Sequence, residues 1–143
     1  MYYVGIDISN DTFTATMLAD PNQILFYGKE FNNTLTGFIQ LDTLLSEKSE
    51  KDDHVLILES TGVYGEQLCT YFYRANYRIY TEPPQYVRRA FRLKRKSDKV
   101  DSKMIAEYGY RYSDQLHTWE PRNSIYEEVI SILNNRELFV KQR

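Results

Sequence analysis

Two short apolar runs, each closing on a single acid, constrain this chain more than any other feature. Residues 2–8 read YYVGIDI and residues 54–60 read HVLILES. Near-continuous apolar residues over that length belong to strands buried on both faces, as in a sheet with helices packed on either side. The second run is read as a central strand parallel to the first. The chain has 143 residues, 42% of them apolar, which suits one compact domain and excludes wholesale disorder. No apolar run approaches the roughly 18 residues of a membrane-spanning helix. Met1 leads into the first strand without the charged region or cleavage site of a signal peptide. The single cysteine, Cys69, excludes an intramolecular disulfide and a Cys-based zinc site. Together these features read as a soluble, cytoplasmic protein.

The segments between the two runs alternate in period. TFTATML (12–18) and QILFYGKEF (23–31) read as strands separated by a DPN turn, with Gly28 marking a bulge. Leu35, Phe38, Ile39, Leu41, Leu44 and Leu45 share one face of a helix capped by Thr34 or Thr36. Residues 61–76 read as a second helix with Tyr64, Leu68, Cys69, Phe72 and Ala75 inward. YRIY (77–80) reads as a short strand stopped by Pro83 and Pro84, followed by a basic segment and a helix starting near Ser97. Pro121 precedes a final helix over 124–142, marked by the Ser124/Glu127 capping box and by Lys141 and Arg143 near its end. Its apolar residues repeat every seven positions, so that helix packs on its own sheet or on a partner helix. Three antiparallel strands followed by α/β units resemble the ribonuclease H-like fold: a mixed five-stranded α/β sheet with flanking helices, in which the first and fourth strands lie side by side.

Charge is segregated. Residues 88–99 hold seven of the 18 basic residues, Arg88, Arg89, Arg92, Lys94, Arg95, Lys96 and Lys99, and one acid. With a net charge of −2, the rest of the chain carries −8 against a local +6. Such a patch is a common electrostatic footprint for a phosphate backbone, although a solvated helix face has the same composition.

Four acids fall in two pairs. Asp7 ends the first strand and Glu59 ends HVLILE; on neighbouring parallel strands they reach the same sheet edge. Close carboxylates repel unless one is protonated or a cation sits between them, and hard divalent ions take oxygen ligands. The structural alternatives are an Asp capping the SND turn and a Glu favoured by the dipole of the following helix. Asp98 and Asp101 stand three apart, on one face of a first helical turn behind Ser97, where the macrodipole alone stabilises acids by about 0.3–1 kcal/mol. Thr61 and Gly62, at a helix start, could present backbone N–H groups to a phosphate or form an ordinary cap.

Three blocks, VGIDISNDTF (4–13), LESTGVYGEQL (58–68) and KSDKVDSKMIAEY (96–108), together resemble the DEDD insertion-sequence transposases. That family includes pilin-gene invertases and members guided by a bridge RNA. The resemblance implies a RuvC-like domain over residues 1–121, with Asp7, Glu59, Asp98 and Asp101 binding Mg²⁺, or Mn²⁺ as a substitute. It implies DNA as partner, a guide RNA in some members, and a homo-oligomer in the full-length protein. Residues 122–143 resemble the start of the family's helical linker. The serine-bearing C-terminal domain is not in this sequence, which reads as an excised domain or natural truncation, incompetent for recombination alone. Asn10 replaces the family's usual Lys and Ser102 its usual Ala. Two other functions stay open: a non-catalytic nucleic-acid-binding module, and an actin-like ATPase lobe, which would want a glycine-rich turn that DISND lacks. His54 and His117 read as structural, Cys69 as a core thiol, and Trp119 as a packing anchor.

Overall fold

The computed structural model describes residues 1–59, 62–95, 99–121 and 128–133. Its frame is a five-stranded mixed sheet in the order β3-β2-β1-β4-β5. The strands are β1 (Tyr2–Ile8), β2 (Thr12–Asp20), β3 (Gln23–Asn32), β4 (His54–Glu59) and β5 (Arg78–Glu82). The first three form an antiparallel meander, β4 runs parallel to β1, and β5 runs parallel to β4. This is the order and sense expected from the element pattern. The bulge expected at Gly28 is present: the β2/β3 register shifts around Thr16, and Gly28 has φ +60°.

Side-chain alternation divides β1 between two cores. Val4, Ile6 and Ile8 face one core, with Phe13, Leu56 and Leu58, under α1 (Leu35–Lys48) and α2 (Glu66–Arg74). Tyr3, Gly5 and Asp7 face the other side, where Val55 and Ile57 pack with α3 (Pro84–Ala90) and α4 (Ser102–Arg111). Burying one Leu or Phe side chain is worth about 1.5–3 kcal/mol, so both faces hold the sheet firmly. Thr34 caps α1, its hydroxyl accepting from the Gly37 N–H at 3.3 Å. Ile39, expected inside, is exposed. Cys69 is buried as expected, and burial pushes its thiol pKa up. His54 is also buried, its Nε2 2.9 Å from the Ser49 hydroxyl, and burial lowers its pKa. Trp119 packs edge-on against Tyr73.

Several elements depart from the sequence expectations. Residues 62–65 form a 3₁₀ turn before α2 begins at Glu66, and Tyr64 is exposed rather than inward. β5 runs two residues beyond Tyr80, to Glu82. The Pro83–Pro84 pair stops β5 as expected, but the basic segment then opens directly as a helix: Pro84 occupies the first turn of α3, where its missing N–H is no loss and its fixed φ suits a helix. The helix expected from Ser97 begins at Ser102, capped by Asp101. Residues 117–119 run along the outer edge of β5, with hydrogen bonds from the Thr81 N–H to the His117 carbonyl and from the Trp119 N–H to the Ile79 carbonyl, both 3.0 Å.

Residues 128–133 are helical, and Val129 and Leu133 are buried in the α1/α2 core. That part of the final apolar stripe therefore packs on the chain's own fold. The Ser124/Glu127 capping box and the residues beyond Leu133 lie outside the described residues. Among the described residues, no helix is long and apolar enough to cross a membrane.

Candidate active site

The site is built where β1 and β4 end. Ile6 stands opposite Leu58, so the next residues, Asp7 and Glu59, come level on adjacent parallel strands. Strands in a sheet lie about 4.8 Å apart, which forces the two carboxylates together on the α4 side. Each titrates above its ordinary range. For Asp7 the main cause is burial, then the charge of Asp101, with Lys99 pulling the other way. For Glu59 it is burial again, then Asp7, with Arg88 opposing. Three acids and two cations thus sense one another at one sheet edge.

Asp101 arrives through α4. It is the N-cap, its Oδ1 accepting from the Met104 N–H at 2.8 Å. The backbone of α4 rests directly on β1 at Gly5: a Cβ there would lie 2.1 Å from the Ser102 carbonyl and 2.4 Å from the Ala106 nitrogen. Only a residue without a side chain permits that approach. A buried bond of 2.7 Å between the Thr16 and Ser102 hydroxyls locks the same turn to β2, and Thr16 also accepts from the Gly28 N–H at 2.9 Å. Ser102 is therefore matched by Thr16 across the β2/α4 contact.

Asp98, Lys96 and Thr61 lie outside the described residues. Asp98 and Asp101 were expected to share a first helical turn; Asp101 instead precedes the helix as its cap. Gly62 does not open a helix either but the 3₁₀ turn, with φ +66°. The loops around the acids are tied by Asn33, a residue the sequence reading passed over. Its Nδ2 faces the carbonyls of Ser9, Asn10 and Tyr64 at 3.2, 3.3 and 3.1 Å. Also missed was Glu82, which pairs with Glu59 in the β4/β5 register and is wholly buried. Glu82 ends β5 as Glu59 ends β4, but RIYTE lacks the continuous apolar run that marks HVLILE.

The basic residues gather on α3 and beyond. Arg88 and Arg89 are in its last turn; Arg88 donates to the Arg95 carbonyl, folding the segment back. Arg89, Arg92, Lys94, Arg95 and Lys99 are exposed. Arg111 joins them from α4, its guanidinium 4.8 Å from the Phe91 ring centre.

The donor set suits a hard divalent cation: carboxylate oxygens, two of them held together against their repulsion. Among the described residues no group of three or more His, Cys, Asp or Glu side chains is gathered tightly enough to hold an ion, and Asp98 is not among them.

The family model for DEDD transposases of the IS110 type matches residues 4–143. This chain belongs to that transposase family. Two curated relatives are pilin gene-inverting proteins, from Moraxella bovis and Moraxella lacunata, each 26% identical over 144 residues. The alignments cover 98% of this chain but 43% of each relative, so the chain spans less than half their length. Among solved structures, T. thermophilus RuvC in complex with a Holliday junction substrate matches with a TM-score of 0.62. That match covers 83% of this chain and 99% of that one at 12% identity. A second Thermus thermophilus RuvC structure matches with a TM-score of 0.59 at 11% identity, covering 83% of this chain and all of that one. At such identities the likeness is one of fold, and the fold of this family member is RuvC-like, of the ribonuclease H type.

Proposed function

We propose that this chain is the acid-bearing catalytic domain of a DNA recombinase, with Asp7, Glu59, Asp98 and Asp101 holding Mg²⁺, or Mn²⁺ in its place. The observation that carries this reading is the meeting of Asp7 and Glu59 beside Asp101, each of the first two titrating high from burial and from a neighbouring carboxylate. A bound divalent ion supplies Lewis-acid stabilisation of the charge on phosphodiester oxygens.

The chain's own residues do the rest. Arg88, Arg89, Arg92, Lys94, Arg95, Lys96 and Lys99 neutralise backbone phosphates and bring the strand to the acids. In this reading Thr61 and Gly62, following Glu59 in the chain, offer backbone N–H groups to a phosphate. Asp101 serves α4 with one oxygen, and its other oxygen makes no hydrogen bond among the described residues. Residues 1–121 form the catalytic domain in this reading, and 122–143 begin a helical connection to a serine-bearing domain in the longer protein. Recombination then needs more than this chain, as an oligomer in the full-length protein and, where the family resemblance extends so far, with a guide RNA.

The test is binding of a branched DNA by fluorescence anisotropy, with and without Mg²⁺, for wild type, Asp7→Asn/Glu59→Gln and Arg89→Glu/Arg92→Glu. The reading expects salt-dependent binding that the charge reversals weaken and a Mg²⁺ response that the carboxylate variants lose. Binding indifferent to metal and to the acids would instead make the chain a non-catalytic nucleic-acid module. Protection against heat by ATP, without DNA binding, would favour the ATPase lobe.

A further inference from the structure

Glu82 is spent on a ring that faces solvent. It is fully buried, yet both its oxygens go to His117: Oε1 accepts from the backbone N–H at 3.1 Å, and Oε2 lies 2.6 Å from Nδ1. The His117 side chain is 62% exposed. Burying a carboxylate is costly, and here it fixes the peptide and, through Nδ1, the ring of one surface residue. The backbone beneath is equally fixed, by the pairing of residues 117–119 with the edge of β5.

Tyr86 lies against that ring, centroids 6.2 Å apart and planes 30° from parallel. Together they wall an open cavity of about 420 Å³, completed by Arg89, Tyr108, Tyr112 and Gln115. That volume lies within the roughly 300–1,000 Å³ typical of small-ligand sites. Tyr108 is buried and packs on Tyr112 at 4.8 Å. The cavity therefore combines aromatic faces, the hydrogen-bonding edges of Gln115 and His117, and a guanidinium from the most basic segment of the chain.

We infer that this cavity holds one unpaired nucleobase of the strand bound by the basic segment, stacked on Tyr86 and His117, with Arg89 on the adjoining phosphate. The inference rests on the nucleic-acid reading above and adds to it a site for a base outside the duplex. Aromatic faces suit any base, since every base has a π-face, and the neighbouring cations fit its phosphate. The location fits as well: Glu82, the cavity's anchor, is in register with Glu59, so two strand spacings, about 10 Å, separate the anchor's strand from that of Asp7. A base extruded within a few nucleotides of the acids reaches it.

The probe is a duplex with a single unpaired 2-aminopurine, compared with the fully paired duplex and with single strands of DNA and RNA. Wild type is expected to bind the bulged duplex about tenfold more tightly than the paired one, with a change in 2-aminopurine emission. Tyr86→Ala should abolish the preference and the emission change while leaving paired-duplex affinity intact, and Tyr86→Phe should restore both. Tyr86 is 40% exposed, so neither change threatens the fold. Whichever single strand shows the larger Tyr86-dependent affinity identifies the source of the base. An undiminished preference in Tyr86→Ala, or equal losses on bulged and paired duplexes, overturns the inference. If no nucleic acid binds at all, the underlying functional reading has failed first, and the cavity assignment with it.

Discussion

Gly5 and Ser102 meet backbone to backbone, and that contact sets how closely the turn capped by Asp101 approaches the strand that carries Asp7. With no Cβ on Gly5, the first turn of α4 settles onto β1 one pleat from Asp7, and Asp101 caps the same turn. The geometry of the candidate site thus depends on a residue with no chemistry of its own.

Gly5→Ala tests this dependence. The added methyl would meet backbone atoms that cannot rotate away, so α4 must shift. Overpacking of this kind costs about 1–3 kcal/mol. Chemical denaturation should register that loss, together with weaker divalent binding in the fraction that stays folded. Unchanged stability would mean that α4 does not rest on β1 as described.

Asp7 and Glu59 make stability depend on pH in a defined direction. Their carboxyl pKa values are raised in the fold above the ordinary 3.8 and 4.5. The folded state therefore holds those protons more tightly than the unfolded chain. Their contribution favours folding below the unfolded values and is lost as pH rises through the raised folded values. Without divalent ions, Asp7→Asn and Glu59→Gln should melt a few degrees above wild type at pH 7 and near it at pH 4. Melting curves in chelator at the two pH values decide this, and equal melting at pH 7 would contradict the strained pair.

Asn33 should tolerate Ala better than the smaller-looking change to Asp. Its Nδ2 faces three carbonyl oxygens. Removing it leaves those carbonyls one donor short, about 1–3 kcal/mol if they stay dry. A carboxylate would instead point negative oxygen at all three. Comparing the stabilities of Asn33→Ala and Asn33→Asp checks the clamp; the reverse order would show that the amide is not the donor to these loops.

Arg92 holds a left-handed conformation, φ +55°, at the end of α3. The Arg92 N–H bonds the Arg89 carbonyl and the Leu93 N–H bonds the Arg88 carbonyl, the pattern that normally takes glycine at this position. Arg92→Gly should raise stability by about 0.5–1 kcal/mol, the left-handed penalty less the extra entropy of glycine. It should also lower the salt slope of DNA binding by about 1 if this arginine neutralises a phosphate. Gain in one assay and loss in the other would mark strain kept for contact; a gain with no change in binding would remove Arg92 from the interface.

Much of this architecture is legible in the sequence because it is local. Apolar runs, the Thr34 cap and Gly28 announce β1, β4, α1 and the bulge through composition and spacing. What escaped depends on contacts between distant segments or on ambiguous punctuation. Pro83 and Pro84 stop β5 as read, but a proline serves equally as a first helical residue, so the start of α3 at Pro84 was not legible. The β5 strand read as ending at Tyr80 because Thr81 and Glu82 lack apolar character, and the row Asp7, Glu59, Glu82 was hidden with it. Ser97 reads as a helix cap by type, whereas the cap of α4 is Asp101, and the turn it caps rests on Gly5, a contact between distant segments. Nothing near Asn33 in sequence predicts that its amide would meet carbonyls from two other loops.

The central claim is that the acids form a cation site, and Asp101→Asn examines it most directly. Asparagine is as good an N-cap as aspartate, so the helix keeps its start while the charge is lost. The measurement is a Mn²⁺ titration at pH 7 followed by thermal shift and isothermal calorimetry. Wild type should bind saturably and gain melting temperature in proportion to the logarithm of ion concentration, while the variant melts normally in chelator and gains little. Identical titrations of the two proteins, with or without a DNA duplex present, would contradict the account and leave Asp101 as a cap alone.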